Sequence, residues 1–291
     1  MDFINGQELL KLCNEQNCTI SNVMLNREIQ VGNATESKIK AKLQKALDIM
    51  RDASHAPIET PQKSIGGLLG GEAQAIYNNI SDSTSICGNT LTKAIAYSMA
   101  VLEVNATMGL IVAAPTAGSS GVVPGALLAL TEDRQLSDEV LENGLLTTSA
   151  IGYIMMRNAS VSGAEAGCQA EVGSASAMAA AALVEMLGGT PEMCLQAASI
   201  ALSNLLGLVC DPIAGLVEAP CQSRNAIGVS NAFTCAQLAL CGVKHPVPFD
   251  EMVDAMYRVG RSLPFELRET AMGGNASTPT GCALGCSICG K

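Results

Sequence analysis

Residues 163–183 read GAEAGCQAEVGSASAMAAAAL, and residues 210–228 read CDPIAGLVEAPCQSRNAIG. The run 175–187, which the first stretch opens, is the most helix-prone in the chain, and Gly188 and Gly189 end it. Around it, Cys168, Cys210 and Cys221 each lie beside Gly, Pro or a carboxylate, in loops or at helix edges, with long apolar segments between. Three thiols so placed are expected to be gathered by the fold into one inorganic site. The bland alternative is three buried thiols acting as small hydrophobes.

The remaining pattern is helical as well. Asn5 followed by Glu8 has the form of a capping box and opens a helix toward Cys18. Thr35 opens another, with Ile39, Leu43, Ala46, Leu47 and Met50 at helical spacing. Lys38, Lys40, Lys42 and Lys45 fall mostly off that stripe, as a solvated face does; an anion site is the sharper alternative. Residues 91–108 read as a nearly uncharged helix interrupted by Lys93 and Glu103, and Pro124 fits the first turn of one running to about residue 130. Ser137 caps a helix reaching about Met156, and Thr190-Pro191-Glu192 starts one that stops near Gly207. Residues 250–259 and 264–270 supply the last helical pieces. Strand-like alternation is almost absent. The expectation is an all-α chain of about ten helices with buried Gly-rich loops: a single domain over 1–291, ending in an irregular, Cys-rich tail over 273–291.

Composition bounds the function. The 291 residues are 48% hydrophobic, 15% charged and 3% aromatic without Trp, so helices must approach closely rather than pack around large rings. A net charge of −10 argues against a nucleic-acid footprint or an anionic membrane surface. A mean hydropathy of +0.28 points to surface covered by a partner. Residues 105–130 are uncharged and long enough to span a bilayer, but Pro115, Gly118, Gly121, Pro124 and Gly125 break them in the middle, so a buried loop between core helices is expected. Twelve cysteines without a recognisable signal peptide at the MDFINGQELLKL start fit reduced thiols in the cytoplasm, some of them metal ligands.

The chemistry candidates then compete. Cys282, Cys286 and Cys289 have C-x3-C-x2-C spacing, the stronger local chelate, whereas Cys168, Cys210 and Cys221 need the fold to meet. Three thiolates on a four-iron cluster leave one iron open as a Lewis acid. The loop APTAGSSG, residues 114–121, offers the Thr116, Ser119 and Ser120 hydroxyls and free N–H groups, a seat for a carboxylate held by neutral donors. Arg224 adds either a bidentate carboxylate contact or an ordinary salt bridge to Glu218 or Asp211. Glu171, near Cys168, is the candidate general base. With only His55 and His245, a Ser-His-Asp triad or a His-rich zinc site has little material. KSIGGLLGGEAQ, residues 63–74, has paired glycines but no GK[ST], so it is not a P-loop.

Five segments, KSIGGLLGG, EVNATMGLIVAAPTAGSSGVVPGAL, GCQAEVGSASAMAAAAL, CDPIAGLVEAPCQSRN and PFDEMVDAMYRVGRSLPFELRETAMGGNASTPTG, together resemble the α chain of bacterial iron–sulfur L-serine dehydratases over nearly the whole sequence. That resemblance implies a 4Fe-4S cluster on Cys168, Cys210 and Cys221, L-serine as substrate, and a separate β chain as partner. It also implies that a tail cysteine (Cys282, Cys286 or Cys289) closes the open iron at rest. The tail thereby falls behind the dispersed set as the site itself. A cysteine desulfidase using the same cluster, and a non-catalytic iron-binding subunit, are the alternatives.

Overall fold

The computed structural model describes residues 2–82 and 84–290, apart from the side chain of Cys289. The chain forms α1 (Gly6–Gln16), α2 (Ile20–Gln30), α3 (Glu36–Glu59), α4 (Glu72–Asn78), α5 (Gly88–Ala106), α6 (Val122–Arg134) and α7 (Asp138–Asn158). There follow the single turn α8 (Gly163–Ala166), α9 (Ser174–Met186), α10 (Pro191–Asn204), α11 (Cys221–Leu240), α12 (Phe249–Ser262) and α13 (Pro279–Cys289). Among the described residues there is no strand, only an isolated bridge between Cys210 and Arg268. The fold is all-α. No helix among the described residues is long and apolar enough to cross a membrane.

Helix starts follow the capping residues. Asn5, Thr35, Ser137 and Thr190 each accept from the backbone N–H three residues on, which satisfies a donor the helix leaves unpaired. At the centre lies α9, whose residues 174–184 are all buried. Its alanine methyls each contribute only about 0.8 kcal/mol of burial, but they let α6, α7, α10 and α11 close in from several sides. Glycines on the neighbours deepen the approach: a Cβ on Gly152 would stand 3.0 Å from Met178, and one on Gly125 of α6 would stand 2.7 Å from the Ala94 carbonyl of α5.

Several elements differ from the sequence expectation. Thr19 opens α2 with a capping box of its own, and α4 and the 20-residue α11 are helices that lack a clear apolar periodicity. Residues 264–270 hold only a 3₁₀ turn, Phe265–Leu267. The tail is not irregular: Thr278 caps α13 by accepting from Gly281 N at 3.0 Å, and Pro279 occupies its first turn. The loop between α5 and α6 is buried only in its second half, since Met108 and Leu110 are exposed while Ser119 and Ser120 are fully enclosed.

Candidate active site

The site begins where α8 gives way to α9. Gly167, with φ +75°, closes α8 and turns the chain, and a π-turn, Gln169–Gly173, then feeds directly into α9. One extra residue per turn is a common device at functional sites, because it re-aims a side chain without ending the helix. Here Cys168 and Glu171 both turn inward, 2% and 8% exposed. Gln169 secures the turn, donating to Met256 O of α12 (3.0 Å) and accepting from Gly207 N (2.9 Å).

Cys210 arrives from the opposite side. Its N–H donates to Leu267 O (2.9 Å) and its carbonyl accepts from Glu269 N (2.7 Å), so the segment 267–269 holds it like a strand edge. The ligand atoms of Cys168, Glu171 and Cys210 lie within 4.8 Å of one another. Glycine creates the room for them. A Cβ on Gly118 would stand 3.0 Å from Glu171 Oε1, and one on Gly163 would stand 3.0 Å from Cys210 Sγ and collide with the same carboxylate.

Cys221 opens α11 and is 5% exposed. One turn on, the fully buried Asn225 engages both ends of its side-chain amide. It donates to Cys221 O (2.9 Å) and Gly118 O (2.8 Å) and accepts from Gly121 N (3.0 Å), pinning the 114–121 loop to the helix that carries Cys221. From that loop Thr116 Oγ1 donates to Glu171 Oε1 at 2.7 Å, and Ser119 Oγ lies 3.1 Å from Thr116 Oγ1. Ser120 is spent on its own loop, donating to Ala117 O at 2.8 Å. Thr116 and Ser119 therefore face the carboxylate, whereas Ser120 shapes the turn.

Arg224 follows the ion-pair alternative. Its Nη2 meets Asp211 Oδ1 at 2.6 Å and its Nη1 donates to Val209 O at 2.7 Å. Asp211 in turn accepts from Asn275 N (2.7 Å) and Asn275 Nδ2 (2.9 Å). Burial works against the Arg224 charge, but the neighbouring Cys168 thiol and Asp211 hold its pKa above the ordinary value. Glu218, the other salt-bridge candidate, instead clasps the paired-glycine loop, accepting from Ser64 Oγ (2.7 Å), Gly66 N (2.7 Å) and Leu68 N (3.1 Å). Those backbone donors are thus occupied by a protein carboxylate rather than left for a phosphate. Lys93 is committed as well, 3.1 Å from Glu132.

The electrostatics show what the pocket lacks. Burial raises the Glu171 carboxyl above its usual range, against the Thr116 hydrogen bond that lowers it, and the nearby Glu269 raises it further. The hydrogen bond with Cys168, then burial, push the Cys210 thiol far up. Burial, Cys168 and Glu171 do the same to Cys221, with Arg224 opposing. Such a set ionises together only around added positive charge, and metal binding would release its protons. Buried sulfur donors with one carboxylate beside them suit a thiolate-seeking metal centre such as an iron–sulfur cluster.

Sequence reasoning missed Asn225 and Glu269. Glu269 is half-buried, sits at φ +62° and acts electrostatically on Glu171, Cys210 and Cys221. Left-handed backbone at a non-glycine residue is the one local anomaly that marks it. Cys282 and Cys286 are exposed on α13, which packs on the turn Ile213–Gly215 just past Asp211; the Cys289 side chain lies outside the described residues. A cavity of about 690 Å³ between α2, α3 and α7 is mostly apolar and contains none of these cysteines, but it reaches Ala114 and Pro115 beside Thr116.

The model of the serine dehydratase alpha chain family matches residues 15–276. An "L-serine dehydratase, alpha chain" of Peptoniphilus asaccharolyticus is 49% identical over 276 residues, covering 95% of this chain and 94% of the relative. A "Probable L-serine dehydratase, alpha chain" of Bacillus subtilis is 47% identical over 279 residues, 96% of this chain and 93% of the relative. An L-serine dehydratase of Escherichia coli is 36% identical over 281 residues, which span 94% of this chain but 62% of that longer protein. With the family model matched over most of its length and near-full-length relatives at almost half identity, the chain belongs to the serine dehydratase alpha chain family.

Proposed function

We propose that this chain is the catalytic α subunit of a cytoplasmic L-serine ammonia-lyase that converts L-serine to pyruvate and ammonium, with Cys168, Cys210 and Cys221 as ligands of a 4Fe-4S cluster. The observation that carries the reading is the Glu171 carboxylate, enclosed with the Cys168 and Cys210 thiols and hydrogen-bonded by Thr116 in one buried pocket. The names of the relatives supply the substrate. Held by three thiolates, a 4Fe-4S cluster supplies an open iron, a Lewis acid for a departing hydroxyl group.

The chain's own residues do the rest. Glu171, made more basic by burial, takes the α-proton of serine onto a carboxylate oxygen. Thr116 orients that carboxylate through its one hydroxyl proton, and Ser119, whose Oγ lies 3.1 Å from Thr116 Oγ1, is the hydroxyl free to turn to the substrate carboxylate. Arg224, fixed by Asp211 beside Cys168, places a positive charge next to the thiolates. Loss of the α-proton and the β-hydroxyl as water leaves 2-aminoacrylate, whose hydrolysis by water gives pyruvate and ammonium. The "alpha chain" names of the relatives, and the longer single chain of the Escherichia coli protein, support a companion β chain.

The test is anaerobic purification with and without the co-expressed companion, quantification of iron and sulfide, and pyruvate release from L-serine and L-cysteine side by side. Iron and sulfide near four each per chain with a preference for serine are expected. Full activity in a metal-free preparation would end the proposal. Preference for cysteine would make it a desulfidase instead.

A further inference from the structure

A cavity of about 360 Å³ opens behind α8, and Ser160, Glu165, Tyr257, Arg261 and Arg268 are on its wall. It is distinct in lining from the thiol pocket: none of Cys168, Glu171, Cys210 or Thr116 borders it. Two arginines line it. Arg261 lies 5.8 Å from the centroid of the Tyr257 ring, and its Nη1 is 3.4 Å from Tyr257 OH. Arg268 has its Nε buried with no acceptor at all.

An unpaired buried guanidinium N–H is costly to leave unsatisfied, and a planar fork of donors matches the paired oxygens of a carboxylate, as it does those of a phosphate. Positive charge in the cavity is not balanced by ion pairs at Arg261 or Arg268 among the described residues; Glu165 on the rim is the one carboxylate that borders it. A ligand carrying an ammonium group beside its carboxylate would pair with both signs. Arg268 is also the residue bridged to Cys210, so a ligand there would bear on the segment that holds a cluster thiol.

We propose that this cavity is a second binding site, for a small carboxylate, with Arg268 and Arg261 as its anion ligands and Ser160 and Tyr257 as neutral donors. Glu165 favours an amino-acid zwitterion over a keto acid.

The test is calorimetric titration of the full chain, alone and with its companion, using L-serine, pyruvate and inorganic phosphate in separate runs. Saturable carboxylate binding should weaken about tenfold or more in Arg268→Met and partly in Arg268→Lys, while Thr116→Val leaves it intact. If Arg268→Met does not fold, Arg261→Met on the exposed side of α12 carries the same expectation. Tighter binding of L-serine than pyruvate is expected; the reverse keeps the carboxylate site but overturns the preference assigned to Glu165. Four results overturn it: no saturation by either carboxylate, binding of phosphate alone, binding lost in Thr116→Val but kept in Arg268→Met, or binding abolished by the companion chain. The last would mean that the guanidiniums are reserved for a partner side chain.

Discussion

At the scale of single residues, Glu171 and Asn225 do opposite kinds of work. Glu171→Gln keeps the shape and the Thr116 contact but removes the basic oxygen. Serine turnover should fall by about 10²–10⁴-fold, with iron and sulfide content unchanged; an equal loss of iron would make Glu171 a ligand instead of a base. Cys168→Ser or Cys210→Ser should instead lose bound iron, read by metal analysis. Asn225→Leu strands Gly118 O and Gly121 N in a dry interior, at a cost of about 2–4 kcal/mol in urea unfolding. Glu171 was within reach of the sequence because it lies three residues from Cys168 in one helical stretch. Asn225 was not. Its partner Gly121 is 104 residues away, and nothing local distinguishes it from an exposed helical asparagine. Glu269 escaped for the same reason, since its connection to Cys210 is made by backbone atoms that carry no side-chain signature.

At the scale of elements, close crossings and one charged cluster are open to measurement. Gly125→Ala drives a methyl against the Ala94 carbonyl and the Ser98 backbone, neither of which can rotate away. A loss of about 1–3 kcal/mol or more is expected in urea unfolding. Between α3, α5 and α6, Glu132 lies 3.5 Å from His55 Nε2 and 3.1 Å from Lys93 Nζ, and accepts from Tyr97 OH at 2.8 Å. Burial alone would raise the Glu132 pKa, yet the bonds from His55, Tyr97 and Lys93 bring it down to about 2. The Glu132 bond likewise raises His55 above 6.5, against burial. Glu132 therefore adds stability that is whole above 4.5 and is lost as pH falls toward 2. The His55 share is whole below 6.5 and is lost as pH rises through its higher folded value. Between those limits the difference in urea midpoint between the native chain and Glu132→Gln should be greatest; a flat difference across pH would refute the linkage. Helices with caps and apolar stripes, α3, α7 and α10, were legible in sequence. α11 was not, because it packs through Cys221, Asn225, Gly228, Ala232 and Cys235, small or polar residues that give little hydrophobic periodicity. α13 was masked similarly by Gly, Ser and Cys, although Thr278-Pro279 is a proper start signal.

At the scale of the whole molecule, the all-α architecture was readable because alanine and glycine saturate the centre and β-branched alternation is missing. What sequence could not supply is how α8, α11 and the 267–269 segment converge on one pocket; that is set by packing around α9. Since the pocket draws on segments spread over the chain, loading it should stabilise the entire fold by mass action. Reconstitution with iron and sulfide should raise the thermal midpoint of the native chain but not of Cys210→Ser. Asp211 adds a consequence of a different kind. One of its oxygens holds Arg224 beside Cys168 and the other holds Asn275, immediately ahead of the helix that ends the chain. Susceptibility to a protease near residue 275 should then report occupancy of a site far from it in sequence: readily cut when the thiols are empty, resistant once they are filled.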